Sequence, residues 1–297
     1  MKKSGPLCFF LLFFLGEVTF WGITALYPMD WPAPDAPIIR NFGWNDGGDP
    51  TLGNVFMTEG FIRAADKGEL LFYHSPSNTA SVLPSPLGSW IALEHGDGII
   101  GIYSRFKDAA PPPASPYIIK KNMVIASAGQ SGWTNQGGFY FSLFDRRERR
   151  WVNPSMIITP PEDTRPPQIQ SVKLKNDRNN LIDLSLTKTI RQGRYTVQVA
   201  ASDIRMNPNE TPLAPYRIVC SLNGIEIGVL NFETFSTRDG VLMVYRNSLV
   251  PVRQVYVPNS AFEIGEAEFI RGQATVTIIV QDITGNVQNN LYRFQVE

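Results

Sequence analysis

Imidazole and thiol groups are few in this chain. Its 297 residues hold two histidines, His74 and His95, and two cysteines, Cys8 and Cys220. A hydrolytic zinc takes three protein ligands and keeps a fourth position for water. Two imidazoles cannot supply a His-rich ligand set with an accessory histidine, and Cys8 sits in an N-terminal apolar run, far in sequence from Cys220. The tightest grouping of metal-capable side chains is Glu94-His95 with Asp97, at the end of a strand-like stretch. A rebuilt metal or nucleophile site would have to draw on these three. The simpler reading of His95 is a structural imidazole bonded to nearby backbone, and of His74, before Ser75-Pro76, a solvated turn residue. Trp44, Tyr103 and Trp133, with His95, are the candidates for lining a groove, because aromatic faces stack on sugars and peptides. Packing is the plainer role for aromatics in small β units.

The elements that would position these residues read as strands. Balanced charge, 27 basic against 27 acidic residues, offers no basic stripe for nucleic acid. The 24 Gly, 23 Pro and 11% aromatic residues favour short strands and turns. Apolar segments recur at Gly68 to His74, Trp90 to Glu94, Ile99 to Phe106, Val124 to Ala126 and Phe139 to Phe144. Alternating segments follow at Gln168 to Lys175, Leu181 to Leu186, Tyr195 to Ala200, Ile218 to Leu222 and Thr275 to Val280. Between the two sets, the run from Pro160 to Pro167 marks a boundary, and Pro111-Pro112-Pro113 reads as a stiff surface insertion. The expected organisation is a signal peptide over 1–25, one domain over 26–160 and a second over 161–297. Lys2 and Lys3 precede the apolar run Leu7 to Leu15, and Glu17 interrupts the hydrophobic stretch. That layout fits a cleavable secretory signal better than a retained anchor. The expected location is therefore exported, in the periplasm or cell envelope. Cys220 lies in an apolar stretch and reads as a small buried hydrophobe. Asp203 and Asp282 each end a strand and precede an Asn by four residues, which suits turns that satisfy their own backbone. Calcium at either would need several more ordered oxygens.

Five elements, in order from about Ile38 to Thr159, resemble the LytM/lysostaphin family of peptidoglycan endopeptidases. Asn41-Phe42-Gly43-Trp44 is similar to its F-G-x-R turn. Thr58-Glu59-Gly60-Phe61-Ile62 stands at H-x-G-x-D, followed by Ala64-Ala65-Asp66-Lys67-Gly68. Trp90 to Gly98 matches its H-g-x-G strand, and Tyr103-Ser104-Arg105-Phe106 its Y-x-H-L. Gly129-Gln130-Ser131-Gly132, Phe139-Tyr140-Phe141 and Val152-Asn153-Pro154 stand at G-x-S-G, H-L-H and V-N-P. The resemblance implies zinc ligands at Thr58, Ile62 and Phe141 and accessory histidines at Arg105 and Phe139. None of these residue types can do the family's chemistry. Ile and Phe carry no donor lone pair, and a Thr hydroxyl is a poor zinc ligand.

The resemblance therefore implies a mainly β chain. An N-terminal LytM-type sheet or barrel-like domain would precede an immunoglobulin-like or fibronectin-like β-sandwich. The implied activity is that of a pseudo-peptidase with no cofactor, its zinc site lost. Its role would be an envelope binding or regulatory module whose partner is peptidoglycan or a cell-wall hydrolase, with no nucleic acid and no transmembrane segment once the signal is removed. The rival readings are an active metalloendopeptidase with a rebuilt site and a purely structural envelope scaffold.

Overall fold

The computed structural model describes residues 29–45, 47, 49–75, 84–109, 118–134, 138–204, 211–258 and 261–297. The expected signal segment, the Pro111-Pro112-Pro113 insertion and Asn207 lie outside the described residues. The chain is nearly all β. Among the described residues the helical elements are two single 3-10 turns, Pro154–Met156 and Val252–Gln254. No helix there is long and apolar enough to cross a membrane.

Ten strands precede the proline-rich run: β1 (Ile38–Arg40), β2 (Asn54–Phe56), β3 (Phe61–Arg63), β4 (Gly68–His74), β5 (Ser89–Glu94), β6 (Ile99–Ala109), β7 (Ile118–Ile119), β8 (Val124–Ala128), β9 (Phe139–Asp145) and β10 (Arg150–Val152). Twelve follow it: β11 (Gln168–Asn176), β12 (Leu181–Asp183), β13 (Thr189–Ile190), β14 (Gly193–Ser202), β15 (Arg217–Leu222), β16 (Ile225–Arg238), β17 (Val241–Arg246), β18 (Ser248–Pro251), β19 (Tyr256–Val257), β20 (Ala261–Phe269), β21 (Gly272–Gln281) and β22 (Val287–Val296).

In the N-terminal part, β9 pairs with β6 on one side and with β2 and then β10 on the other. The sheet runs on from β6 through β5 and β4 to β7. Beyond Ser104, β6 leaves β9 and pairs with β8, which carries β3 on its far edge. The change of partner falls at Arg105, whose φ of 69° lies in the left-handed region, costly for a side chain with a Cβ and typical of a bulge that re-aims a strand. Its N–H donates to Leu87 and its carbonyl accepts from Gly129, so both backbone groups are satisfied off the ladder.

The C-terminal part is two facing sheets. One has the order β12-β11-β14-β20-β19. The other joins β22, β21, β15, β16, β17 and β18. Inward positions of β14 and β21 alternate as the sequence suggests: Val197, Val199, Val276, Ile278 and Val280 are all fully buried. Cys220 is buried among them, as its apolar surroundings suggest, and burial pushes its thiol up to about 12.

Two hydrophobic clusters form, and they do not divide at the proline run. Phe42 belongs to the C-terminal cluster, its ring 4.9 Å from that of Phe235. Gly43 lets this happen: at φ 86°, a Cβ there would stand 2.8 Å from the Phe232 ring. Asn41 exchanges two hydrogen bonds with Ala214, its amide donating at 2.8 Å and its Oδ1 accepting at 2.7 Å. The Tyr256 hydroxyl donates to the Gly43 carbonyl at 2.7 Å. β10 also pairs with β16, so one sheet passes from the N-terminal part into the sandwich.

Candidate functional site

Three of the five family positions fall in one buried apolar cluster. Ile62, Phe139 and Phe141 are all fully buried in the N-terminal cluster. Phe139 and Phe141 lie 6.4 Å apart, with the Tyr103 ring 6.3 Å and 4.9 Å from them. Phe56 and Phe106 complete the aromatic wall. Strand alternation explains the convergence: Phe139 and Phe141 share one face of β9, and Tyr103 stands directly across from Phe141 on β6.

The other two positions lie elsewhere. Thr58, on the loop between β2 and β3, is half-buried and accepts the Gly60 N–H through its hydroxyl. Arg105 is turned by its left-handed backbone toward Tyr140, its guanidinium 5.6 Å from the ring. Tyr140 lies on the face of β9 opposite Phe139 and Phe141. Burial lowers the Arg105 guanidinium below its ordinary value, Tyr140 opposes this and Arg40 adds to it.

The four groove candidates do not line a common cleft. Tyr103 and His95 are partners inside the fold. The Ala65 N–H donates to the Tyr103 hydroxyl at 2.9 Å, and that hydroxyl lies 2.9 Å from His95 Nε2. His95 Nδ1 lies 3.1 Å from the Lys67 carbonyl. The network assigns the proton to Nδ1, leaving Nε2 to accept from Tyr103. The ring fits because Gly68 and Gly101 flank it: Cβ atoms there would stand 2.9 Å and 2.6 Å from its nitrogens. Burial lowers the His95 pKa and raises that of Tyr103. Trp44 is buried on the segment that docks against the sandwich, and Trp133 is 74% exposed on a turn whose N–H donates to Pro86.

His74 departs from the solvated turn expected of it. β4 continues through it in register with Trp90, and the residue is buried. The rebuilt-site set is also dispersed. Both His95 nitrogens are engaged, Glu94 faces Arg146 at 3.3 Å, and exposed Asp97 faces Arg147 at 3.4 Å. The Asp145 to Arg150 run is a charged hairpin turn, with Asp145 Oδ1 accepting from the N–H groups of Arg147 and Glu148.

An open cleft of about 680 Å³ does exist, lined by Met57, Thr58, Glu59, Lys107, Ala128, Gly129, Gln130 and Gly138. Of the residues singled out from sequence, Thr58 alone reaches it among the family positions. Glu59 and Lys107 give it one charge of each sign. Glu59 falls inside the Thr58 to Ile62 motif without a role of its own there, and no motif in the sequence includes Lys107.

Among the described residues, one group of three metal-capable side chains comes within 4.8 Å: Asp163, Asp203 and Asp282. Asp282 works as the expected turn. Its Oδ1 accepts from the N–H groups of Thr284, Gly285 and Asn286.

A protein-family model matches residues 166–297, the span of the sandwich. A search among curated proteins finds no match. Among solved structures, the chain is similar to the catalytic domain of the prophage-encoded M23 protein EnpA from Enterococcus faecalis, at 18% identity and TM-score 0.32, covering 39% of this chain and 85% of that one. It is similar to a zinc-containing peptidase from Vibrio cholerae at 16% identity and TM-score 0.35, covering 43% and 39%. The antimicrobial peptidase lysostaphin from Staphylococcus simulans gives 13% identity and TM-score 0.35, covering 89% and 98%.

Proposed function

We propose that the chain is a catalytically inactive relative of the LytM/lysostaphin-type peptidases, an exported envelope module that binds wall material or regulates a wall hydrolase. In this reading residues 26–160 are the peptidase-like domain and 161–297 a partner-facing, immunoglobulin-like sandwich. One observation carries the reading: two of the three positions where the family holds its zinc are Ile62 and Phe141, both fully buried in the apolar cluster that holds Phe139 and Tyr103. Hydrocarbon offers a divalent cation no electron pair, and Thr58 alone is no site. The donor set does not fit zinc. Refilling a polar site with apolar bulk also spares the cost of burying unpaired polar groups.

The cleft beside Thr58 favours binding over a role as bare scaffold. It is open to solvent and offers Glu59, Lys107 and Gln130 as polar contacts. Peptidoglycan stem peptides carry both charge signs and suit such walls. The test is co-sedimentation of the full chain with purified peptidoglycan, beside Lys107→Glu and Gln130→Ala. Retention that both substitutions weaken supports direct binding. No retention, with stimulation of an added amidase, leaves only the regulatory version. Neither retention nor stimulation ends the proposal.

A further inference from the structure

A second pocket adjoins the cleft. Its volume is about 340 Å³, within the range of about 300–1,000 Å³ usual for small-molecule sites. Met57 and Thr58 line both hollows, so the two share the β2–β3 loop as a wall. The other walls of the pocket are the turn Ala33–Ala36 and strand β3. The turn is fixed. Pro34 presets its first central position, and the Ala36 N–H donates to the Ala33 carbonyl at 3.2 Å. Both flanks are tied down as well, the Arg63 N–H donating to Pro32 at 3.0 Å and the Met57 N–H to Pro37 at 2.9 Å.

Phe61 and Arg63 share one face of β3, with Ile62 buried on the other. Phe61 is 67% exposed, and it lines the pocket together with Arg63 and Asp35. Among the described residues Asp35 and Arg63 enter no ion pair. Arg63 spends one guanidinium N–H on the Asn122 carbonyl at 3.1 Å and keeps the rest of its fork of donors. These walls select a ligand by its chemistry. One carboxylate and one guanidinium leave no net charge to attract an anion or a cation. An aliphatic ligand would cover both charges without pairing them. An extended peptide would have to pair with the outer edge of β3, where residues 32–37 already lie and take the Arg63 N–H. A sugar ring meets all three conditions. Its C–H face covers the phenyl ring, while its hydroxyls donate to Asp35 and accept from Arg63.

We infer that this pocket binds a neutral saccharide ring, stacked on Phe61 and held by Asp35 and Arg63. The inference rests on the wall-binding reading and extends it: the sugar lies on one side of Met57 and Thr58, and the peptide joined to it lies in the cleft on the other. The test is calorimetric titration of the full chain with a tetramer of N-acetylglucosamine, beside a free stem peptide. The tetramer should bind. Phe61→Ala should weaken that binding by about tenfold or more and leave the melting temperature unchanged, because the ring stands mostly outside the core. Phe61→Trp should keep the affinity, and Asp35→Ala should lower it. A tetramer that does not bind overturns the saccharide site, and the wall-binding reading then stands or falls on retention of purified peptidoglycan. Tetramer affinity unchanged in Phe61→Ala puts the sugar elsewhere and overturns the inference. Stem-peptide binding that Phe61→Ala abolishes also overturns it, because the pocket is then a peptide site.

Discussion

Replacing Phe42 by alanine should destabilise the sandwich although Phe42 lies outside it in sequence. The ring is fully buried, packs 4.9 Å from Phe235, and sits in the same cluster as Cys220. Truncating a buried Phe to Ala costs about 3–5 kcal/mol, the larger values applying where the walls cannot collapse. The walls here are strand residues held by β-ladders, so a value near the middle, about 4 kcal/mol, is expected. At about 1.4 kcal/mol per tenfold, that raises the open population by nearly three orders of magnitude. The assay is thiol trapping of Cys220 in a Cys8→Ser background under native conditions. The closed-state thiol is unreactive, being buried with its pKa pushed up to about 12. A trapping rate that climbs by two to three orders of magnitude, roughly what the cavity cost implies, confirms that the Asn41-Phe42-Gly43 turn is a bolt between the two parts. A change smaller than about tenfold, equivalent to about 1.4 kcal/mol, would refute that reasoning.

Gly101→Ala should lower the melting temperature, because the added methyl would stand 2.6 Å from His95 Nε2 and 2.9 Å from the Tyr103 ring. Overpacking of this kind costs about 1–3 kcal/mol, read by calorimetry. Stability should fall with acid below pH 6.5, the free-imidazole value from which His95 is lowered. The unfolded chain then binds a proton that the folded one does not, so stability is complete above that pH and is lost as pH drops toward the lowered pKa. Urea midpoints across pH 5 to 8 measure the slope, and His95→Gln should flatten it. Ile62→Asp should not restore metal binding. It places a carboxylate in an aromatic core and should cost more than about 4 kcal/mol, visible as loss of cooperative unfolding at neutral pH.

The strand pattern was legible wherever alternation alone decides burial. β21 follows it from Ala274 onward and β14 from Val197 to Ala201, and Asp282 caps the turn that its spacing with Asn286 suggests. Phe139 and Phe141 were readable as one apolar face by strand periodicity, whereas Ile62, on β3, was tied to them only by the order of the family motifs. Other features depend on long-range partners. Phe42 looks from sequence like part of a local turn, and only the approach of Phe232 and Phe235 gives it its role. Arg105 reads as continuing β6, yet the exchange of β9 for β8 as partner forces it into the left-handed region and turns its side chain to the other face. Leu181 to Leu186 shortens to β12 because Asp183 accepts from Ser185 and starts a turn. His74 looked like the start of a loop because Ser75-Pro76 follows, but β4 keeps its ladder to Trp90 through that position.

Zinc binding by the purified full chain is the sharpest probe of the loss of the metal site. Dialysis against buffered zinc followed by elemental analysis should return far less than one equivalent, with no release of fragments from purified cell walls. One tightly held equivalent that disappears in Thr58→Ala, accompanied by wall cleavage, would contradict the account.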